Sequence, residues 1–270
     1  MRILFCGDVV GRSGRDAIAA HVPELRERLA LDFVLVNGEN AAHGFGITAK
    51  ICKQFYDAGA DVITTGNHVW DQREILSYIN EDPRLLRPHN FPVAAPGRGA
   101  GVFAARDGRK VLVLHVQTRL FMVALDDPFA CAEAVLDEHP LGKAVDAVVI
   151  DIHGEATSEK MALGHFVDGR ASLAAGTHSH VPTADTQIFP GGTAYQTDVG
   201  MCGDYDSVIG MKKGASIARF VGKVPSERLS PAEGEATLCA VFVETDDKTG
   251  LAHKVAPVRL GGRLEAALPE

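Results

Sequence analysis

The chain has 270 residues, of which 46% are hydrophobic and 23% charged, and these values are typical of a soluble globular domain with a substantial buried core. The formal net charge of -8 gives the fold as a whole no electrostatic reason to bind the nucleic-acid backbone or an anionic membrane surface. No apolar run approaches the roughly 20 residues that a membrane-spanning helix needs.

The N-terminus and the cysteines bear on the cellular compartment. The first residues (MRILFCGDVV) lack the long apolar stretch and the cleavage site of a signal peptide, so we expect a cytoplasmic protein. The 5 cysteines are scattered and form no CxxC pair, which argues against a disulfide framework and against a zinc-thiolate site.

Short apolar strands alternate with amphipathic helices in the first third of the chain, a pattern typical of α/β folds. The predicted strands are Arg2–Cys6, Phe33–Val36 and Val62–Thr65. The predicted helices are Asp16–Leu29, Thr48–Ala58 and Gln72–Ile79, with Thr48 as the N-cap of the second.

The rest of the chain becomes richer in strands. Four prolines between positions 80 and 99 predict a loop, and the turn Arg106–Gly108 predicts a hairpin after it. The predicted helices are Pro128–Glu138 and Ser158–Gly164. The predicted strands are Gly101–Ala104, Lys110–His115, Ala144–Asp151, Ala171–Ala175, Asp185–Phe189, Thr193–Gln196, Ala236–Glu244 and Ala252–Val258. We expect one domain spanning residues 1–270, with two facing sheets and helices outside them.

Side chains that can bind metal follow five of the predicted strands. They are Asp8, Glu39 with Asn40, Asn67, His153, and His178 with His180, and His68 directly follows Asn67 without being counted as a donor. Loops at the carboxyl ends of strands in an α/β sheet line one common crevice, so we expect these side chains to converge.

The donor set indicates two metal ions rather than one. Two carboxylates, two amides and three imidazoles are too many ligands for a single tetrahedral zinc. Mixed nitrogen and oxygen donors favour Mn²⁺ or Fe, with Zn²⁺ as the alternative, over Mg²⁺ or Ca²⁺. With Asp8, Glu39 and a bridging hydroxide, two divalent ions keep a net charge of about +1, which attracts a phosphodiester monoanion.

The stretch GDVVGRSG, which begins at Gly7, has a competing interpretation as a dinucleotide-binding turn. Its spacing does not match G-x-G-x-x-G, and Asp8 would place a carboxylate where a pyrophosphate must lie. We therefore favour the metal site.

In their order along the chain, these motifs resemble those of the calcineurin-like metallophosphoesterase superfamily. The order is GD, GEN, GNH, a lone His and GTHSH, from Asp8 to His180. Two departures, Val10 in place of a histidine and Glu39 in place of an aspartate, are similar to the bacterial 2′,3′-cyclic-nucleotide phosphodiesterase branch of the Bacillus regulator type. The stretches HGEATSEK and GGTAYQTDVG extend the similarity over nearly the whole chain.

The resemblance implies a four-layer α/β/β/α sandwich with a dinuclear centre. By this resemblance, Asp8, Glu39, Asn40 and His180 hold one metal, and Glu39, Asn67, His153 and His178 hold the other. It also implies that a bridging hydroxide attacks phosphorus while His68 protonates the leaving oxygen, a role to which histidine is suited as a residue type. Asp71 has two interpretations, as a residue that orients His68 or as the N-cap of the next helix.

The motifs leave the substrate open. The same metals would serve a 2′,3′-cyclic-nucleotide phosphodiesterase, a phosphomonoesterase or a phosphoprotein phosphatase, and a regulatory protein could retain the site without turnover. We expect a small-molecule phosphate ester as partner, no stable nucleic-acid complex and no membrane contact, and a symmetric homo-oligomer is the general expectation. Tyr195, Phe45 and His43 are the aromatic candidates to stack on a base, with packing as the alternative for each.

Overall fold

The computed structural model describes residues 1–222 and 228–269. Its helices are α1 (Gly11–Arg28), α2 (Ala49–Asp57), α3 (Ile75–Glu81), α4 (Pro128–Glu138), α5 (Thr157–Phe166) and α6 (Lys213–Gly222). Its strands are β1 (Arg2–Cys6), β2 (Asp8–Val9), β3 (Phe33–Asn37), β4 (Val62–Thr64), β5 (Leu85–Leu86), β6 (Ala100–Ala104), β7 (Lys110–Gln117), β8 (Ala147–His153), β9 (Leu173–Thr177), β10 (Gln187–Ile188), β11 (Ala194–Gln196), β12 (Met201–Cys202), β13 (Leu238–Thr245) and β14 (Ala252–Leu260).

The strands form two six-stranded sheets and one short pair. The first sheet has the order β14-β13-β1-β3-β4-β5, in which β1, β3, β4 and β5 are parallel. The second has the order β10-β11-β9-β8-β7-β6, with a parallel centre and antiparallel edges. The pair β2–β12 runs beside them.

Alternation along the strands divides the core into three apolar layers. On β1, Ile3 and Phe5 face the second sheet, while Leu4 and Cys6 face the helices. Strand β8 does the same on the other side, with Val149 between the sheets and its even-numbered neighbours under α4 and α5. Because successive side chains of a strand point to opposite faces of the sheet, each strand contributes apolar residues to two layers. The result is the four-layer α/β/β/α sandwich that the resemblance implied, and the fold prediction is confirmed.

Element boundaries differ from the predictions where local signals are weak. Helix α1 begins at Gly11 rather than at the predicted Asp16. The prediction missed this start because the N-cap residue, Val10, has no side chain that can cap a helix. Strands β8 and β9 continue two residues beyond their predicted ends, so that His153 and Thr177 lie within strands. Helix α6 and the short strands β2, β5 and β12 were not predicted.

The third helix corrects one interpretation of Asp71. Helix α3 begins at Ile75 with Glu74 at the N-cap position, and the preceding residues form turns. Asp71 therefore does not cap this helix, and the N-cap interpretation is wrong. By contrast, Thr48 caps α2 as predicted, since its hydroxyl accepts a hydrogen bond from the backbone N–H of Ile51 at 3.3 Å.

None of the helices in the described ranges is long and apolar enough to cross a membrane.

The layer between the sheets predicts a stability effect. Leu35 is fully buried in this layer, and Leu35→Ala leaves a cavity that should lower the free energy of unfolding by about 2–5 kcal/mol. Chemical denaturation followed by circular dichroism measures the change. Leu76→Ala is the matched control because Leu76 is 45% exposed, and it should change the stability by less than about 0.5 kcal/mol. Equal effects of the two substitutions would contradict the assigned core.

Candidate metal centre

The predicted metal-binding side chains meet where the carboxyl ends of the parallel strands of the two sheets come together. Asp8 follows β1, Glu39 and Asn40 follow β3, and Asn67 follows β4, all from the first sheet. His153 ends β8, and the turn with His178 and His180 follows β9, both from the second sheet. Each of the seven predicted donors lies close to at least one other member of the set.

One group of donors is centred on His153. Its Nε2 lies 3.2 Å from Oε1 of Glu39 and 2.9 Å from Oδ1 of Asn67. The Nδ1 of His178 is 3.2 Å from the same Nε2. Ligand atoms of Glu39, His153 and His178 all lie within 4.8 Å of one another, a spacing that one ion can bridge.

A second group shares one member with the first. Ligand atoms of Asp8, Glu39 and His180 also lie within 4.8 Å of one another. Asn40 extends this group, because its Oδ1 lies 3.2 Å from Nε2 of His180. Glu39 belongs to both groups, which is the arrangement expected of a carboxylate that bridges two ions.

The unsatisfied atoms of the site fit bound cations. Oδ1 of Asp8 is completely buried and has no hydrogen-bond partner among the described residues, a costly arrangement for an anionic oxygen. A Cβ added to Gly66 would lie 2.0 Å from Oε2 of Glu39 and 2.4 Å from Nε2 of His153. The absence of a side chain at position 66 therefore leaves a space surrounded by donor atoms.

The protonation equilibria point the same way. Burial raises the pKa of Asp8 to about 7, against the attraction of the neighbouring histidines. Burial also raises the pKa of Glu39, but His153 beside it outweighs this and holds that pKa well below its usual range. Burial and His153 together lower the pKa of His178 to about 3, so its imidazole is neutral and can ligate. The carboxylates therefore need positive charge close by.

Behind His153 lies a buried polar chain that the sequence analysis missed. His153 Nδ1 lies 2.9 Å from the Thr177 hydroxyl, which donates to Oδ1 of Asp151 at 2.7 Å. Asn37 Nδ2 donates to the other oxygen of Asp151 at 2.9 Å. This chain fixes the ring of His153 and leaves its Nε2 directed toward Glu39 and Asn67, as partners of metal-binding histidines commonly do.

A buried ion pair supports the turn that carries the other two histidines. The Lys160 ammonium donates to the Thr177 carbonyl at 2.7 Å and to Oδ2 of Asp198 at 2.8 Å. The same carboxylate oxygen accepts the backbone N–H of Ser179 at 3.0 Å. His178 and His180 have backbone φ values of 98° and 66°, which residues other than glycine rarely adopt. The ion pair and its hydrogen bonds therefore support a strained turn. Lys160 and Asp198 lie in the stretches HGEATSEK and GGTAYQTDVG, but nothing in either motif identifies these residues as a pair.

His68 lies on the solvent side of the centre. Its backbone N–H donates to Oε2 of Glu39 at 3.2 Å, and its Nδ1 is 2.9 Å from Oδ2 of Asp71. Phe45 packs edge-on against the imidazole, with ring centroids 5.1 Å apart. The contact with Asp71 orients the ring, which is the remaining interpretation of that residue.

The aromatic candidates for base stacking separate into three cases. Tyr195 is completely buried and stacks on Phe189, so the packing alternative holds and it cannot contact a ligand. Phe45 lines the cleft over the metal centre, and the apolar residues Ile209, Met211 and Leu229 line the same cleft. His43 lies outside this cleft, in a neighbouring groove.

Gly66 provides a test of the metal position. Gly66→Ala places a methyl group in the space between Glu39 and His153, so we expect at least one equivalent of bound Mn²⁺ per chain to be lost. Metal analysis after equilibrium dialysis measures the content, and circular dichroism checks the fold. Gly214→Ala is the control because its added Cβ meets no atom within 4 Å. Full metal content in Gly66→Ala would contradict this position.

Comparisons with known proteins identify the family of this chain. The Bacillus subtilis protein described as 2′,3′-cyclic-nucleotide 2′-phosphodiesterase is 48% identical over 94% of this chain and 95% of its own. A crystal structure of a hypothetical protein from Thermus thermophilus matches with a TM-score of 0.90 and 40% identity, covering 97% of this chain and 100% of that chain. A Mycoplasma pneumoniae crystal structure described as a novel phosphatase matches with a TM-score of 0.88 and 34% identity, covering 97% and 93%. Residues 4–258 match the family described as YmdB-like protein, and the family resemblance is confirmed: this chain belongs to the YmdB-like family.

Proposed function

We propose that this protein is a dinuclear-metal phosphodiesterase that hydrolyses 2′,3′-cyclic nucleotides. The observation that carries the proposal is that Glu39 belongs to two groups of donors at once, all of them buried except the partly buried His178, with His68 beside it. The similarity to the Bacillus subtilis protein supports the substrate class, because that relative is described by the same activity.

The seven donors would hold the ions in two overlapping sets. Asp8, Glu39, Asn40 and His180 form one set, and Glu39, Asn67, His153 and His178 form the other. When bound, two divalent ions stabilise negative charge on the phosphoryl oxygens and lower the pKa of water. Mixed nitrogen and oxygen ligands favour Fe or Mn²⁺, with Zn²⁺ as the alternative.

His68 is the proposed proton donor. Opening a 2′,3′-cyclic phosphate expels a ribose oxygen, which is a poor leaving group unless it is protonated. Asp71 holds Nδ1 of the ring, so Nε2 is the atom available to transfer a proton. Since the side chain of His68 is 29% exposed and lines the cleft, it can reach a substrate and exchange protons with water.

Hydrolysis by metal-reconstituted protein tests the proposal. The protein is stripped of metal, refilled with Mn²⁺ and assayed on 2′,3′-cyclic AMP, 3′,5′-cyclic AMP and p-nitrophenyl phosphate. We expect turnover of the 2′,3′-cyclic diester, and loss of turnover in Glu39→Gln because a bridging charge is removed. Preference for p-nitrophenyl phosphate would contradict the cyclic-nucleotide substrate and indicate a phosphomonoesterase. Inactivity with every metal would favour a regulatory binding protein.

Two substrates with different leaving groups distinguish proton donation by His68 from a general loss of active-site structure. In His68→Ala we expect kcat on 2′,3′-cyclic AMP to fall by roughly 10²–10⁴. On bis(p-nitrophenyl) phosphate the loss should be much smaller, because nitrophenolate departs without a proton. His253→Ala is the matched control, since His253 is exposed on β14. Equal losses on both substrates would rule out proton donation.

A further inference from the structure

A groove beside the metal centre carries an excess of positive side chains. Its volume is about 550 Å³, and its lining includes the three arginines Arg12, Arg15 and Arg228, together with His43. The chain as a whole has a net charge of -8, so this concentration of arginines is a local departure from the overall balance. A volume of several hundred Å³ is typical of small-molecule sites.

Arg15 is the most informative member of the groove. Its Nη1 donates to the Ala41 carbonyl at 2.5 Å, and among the described residues its guanidinium forms no ion pair with a carboxylate. Burial lowers the pKa of Arg15, and the attraction of the neighbouring Asp16 opposes this shift only in part. A partly buried cation that forms no ion pair is costly, and an anionic ligand would reduce that cost.

The acidic residues around the groove are already paired. Asp16 lies 3.5 Å from Arg12 in an exposed i,i+4 pair, and Glu233 accepts from Lys212 at 3.0 Å. Within the described ranges, Arg228 and His43 form no hydrogen bond or ion pair with protein atoms. Counting only the residues that the structure describes, the groove then keeps the charges of Arg15 and Arg228.

The groove adjoins the metal centre directly. Leu229 lines both the groove and the cleft that contains Glu39 and His68. Ala41, which holds Arg15, comes next in the chain after the metal donor Asn40. A substrate bound at the metals can therefore extend into the groove without leaving the protein surface.

We infer that this groove binds a second phosphate of the substrate, on the 5′ side of the nucleoside whose 2′,3′-cyclic phosphate lies at the metals. The inference rests on the proposed function. A cyclic phosphate occupies both the 2′ and the 3′ oxygens, so any further phosphate must be attached through the 5′ oxygen. The guanidinium groups of Arg15 and Arg228 suit a phosphate because they offer paired N–H donors. The second phosphate is either a 5′-monophosphate or the internucleotide link of an RNA end.

Kinetics on three substrates test this site. The Mn²⁺-loaded protein is assayed on adenosine 2′,3′-cyclic phosphate, on its 5′-phosphorylated form, and on the dinucleotide ApA that ends in a 2′,3′-cyclic phosphate. We expect kcat/KM to rise about tenfold for at least one of the two longer substrates, as a charge-assisted contact allows, and to lose this advantage at high salt. A gain for the 5′-phosphorylated mononucleotide assigns a free nucleotide, and a gain for the dinucleotide alone assigns an RNA end.

Two sets of variants identify the groove as the cause. In Arg12→Gln/Arg228→Gln and in Arg15→Gln, the ratio of kcat/KM between the longer substrate and the mononucleotide should fall to about one. Arg106→Gln is the matched control, because Arg106 is an exposed arginine in the turn between β6 and β7 and should leave the ratio unchanged. A ratio near one in the unaltered protein, or one that survives both arginine variants, would overturn the inference.

A binding measurement keeps this inference separate from the proposed function. Calorimetry on the metal-loaded protein compares adenosine 3′,5′-bisphosphate with adenosine 3′-monophosphate. We expect the bisphosphate to bind about tenfold more tightly, and this advantage to disappear in both arginine variants. If the cyclic substrates are not hydrolysed, the proposed function fails, but the binding ratio still decides whether the groove recognises a second phosphate.

Discussion

Asp8 and Glu39 are carboxylates with almost no solvent exposure, and they lie where the carboxyl ends of the two sheets meet. Burying two negative charges side by side is unfavourable unless positive charge compensates them. The histidines, the small space at Gly66 and the Asp8 oxygen, which has no hydrogen-bond partner in the part of the chain that the structure describes, are all consistent with that requirement. Divalent cations satisfy it, and the same cations would supply the chemistry proposed for the site.

The second sheet contributes the rigidity of the centre. His153 is the last residue of a buried strand, and the chain through Thr177 and Asp151 fixes its tautomer from behind. Lys160 and Asp198 hold the following turn in a backbone conformation that its histidines would not adopt alone. Ligands placed by strands and supported in this way lose little conformational entropy when an ion binds.

Charged side chains are unevenly distributed over the surface of this protein. The acidic total keeps most of the surface unattractive to polyanions, while the arginine groove, and the candidate metal centre once it is loaded with metal, would concentrate positive potential in one region. Such an arrangement suits a small phosphate ester or a single RNA end better than a long duplex. The expectation of no stable nucleic-acid complex and the inferred second phosphate site are therefore compatible.

The sequence by itself determined the layer architecture, the family and the candidate donors, because these depend on local periodicity and on motifs such as GNH and GTHSH that are contiguous in the chain. Tertiary structure alone decided which donors share Glu39, that Asp71 contacts His68 instead of capping α3, and that Tyr195 lies in the core. It also revealed the pair Lys160–Asp198 and the proximity of Arg15 to Arg228. These contacts join residues far apart in sequence, and no local pattern encodes which distant strand or loop will lie beside a given side chain.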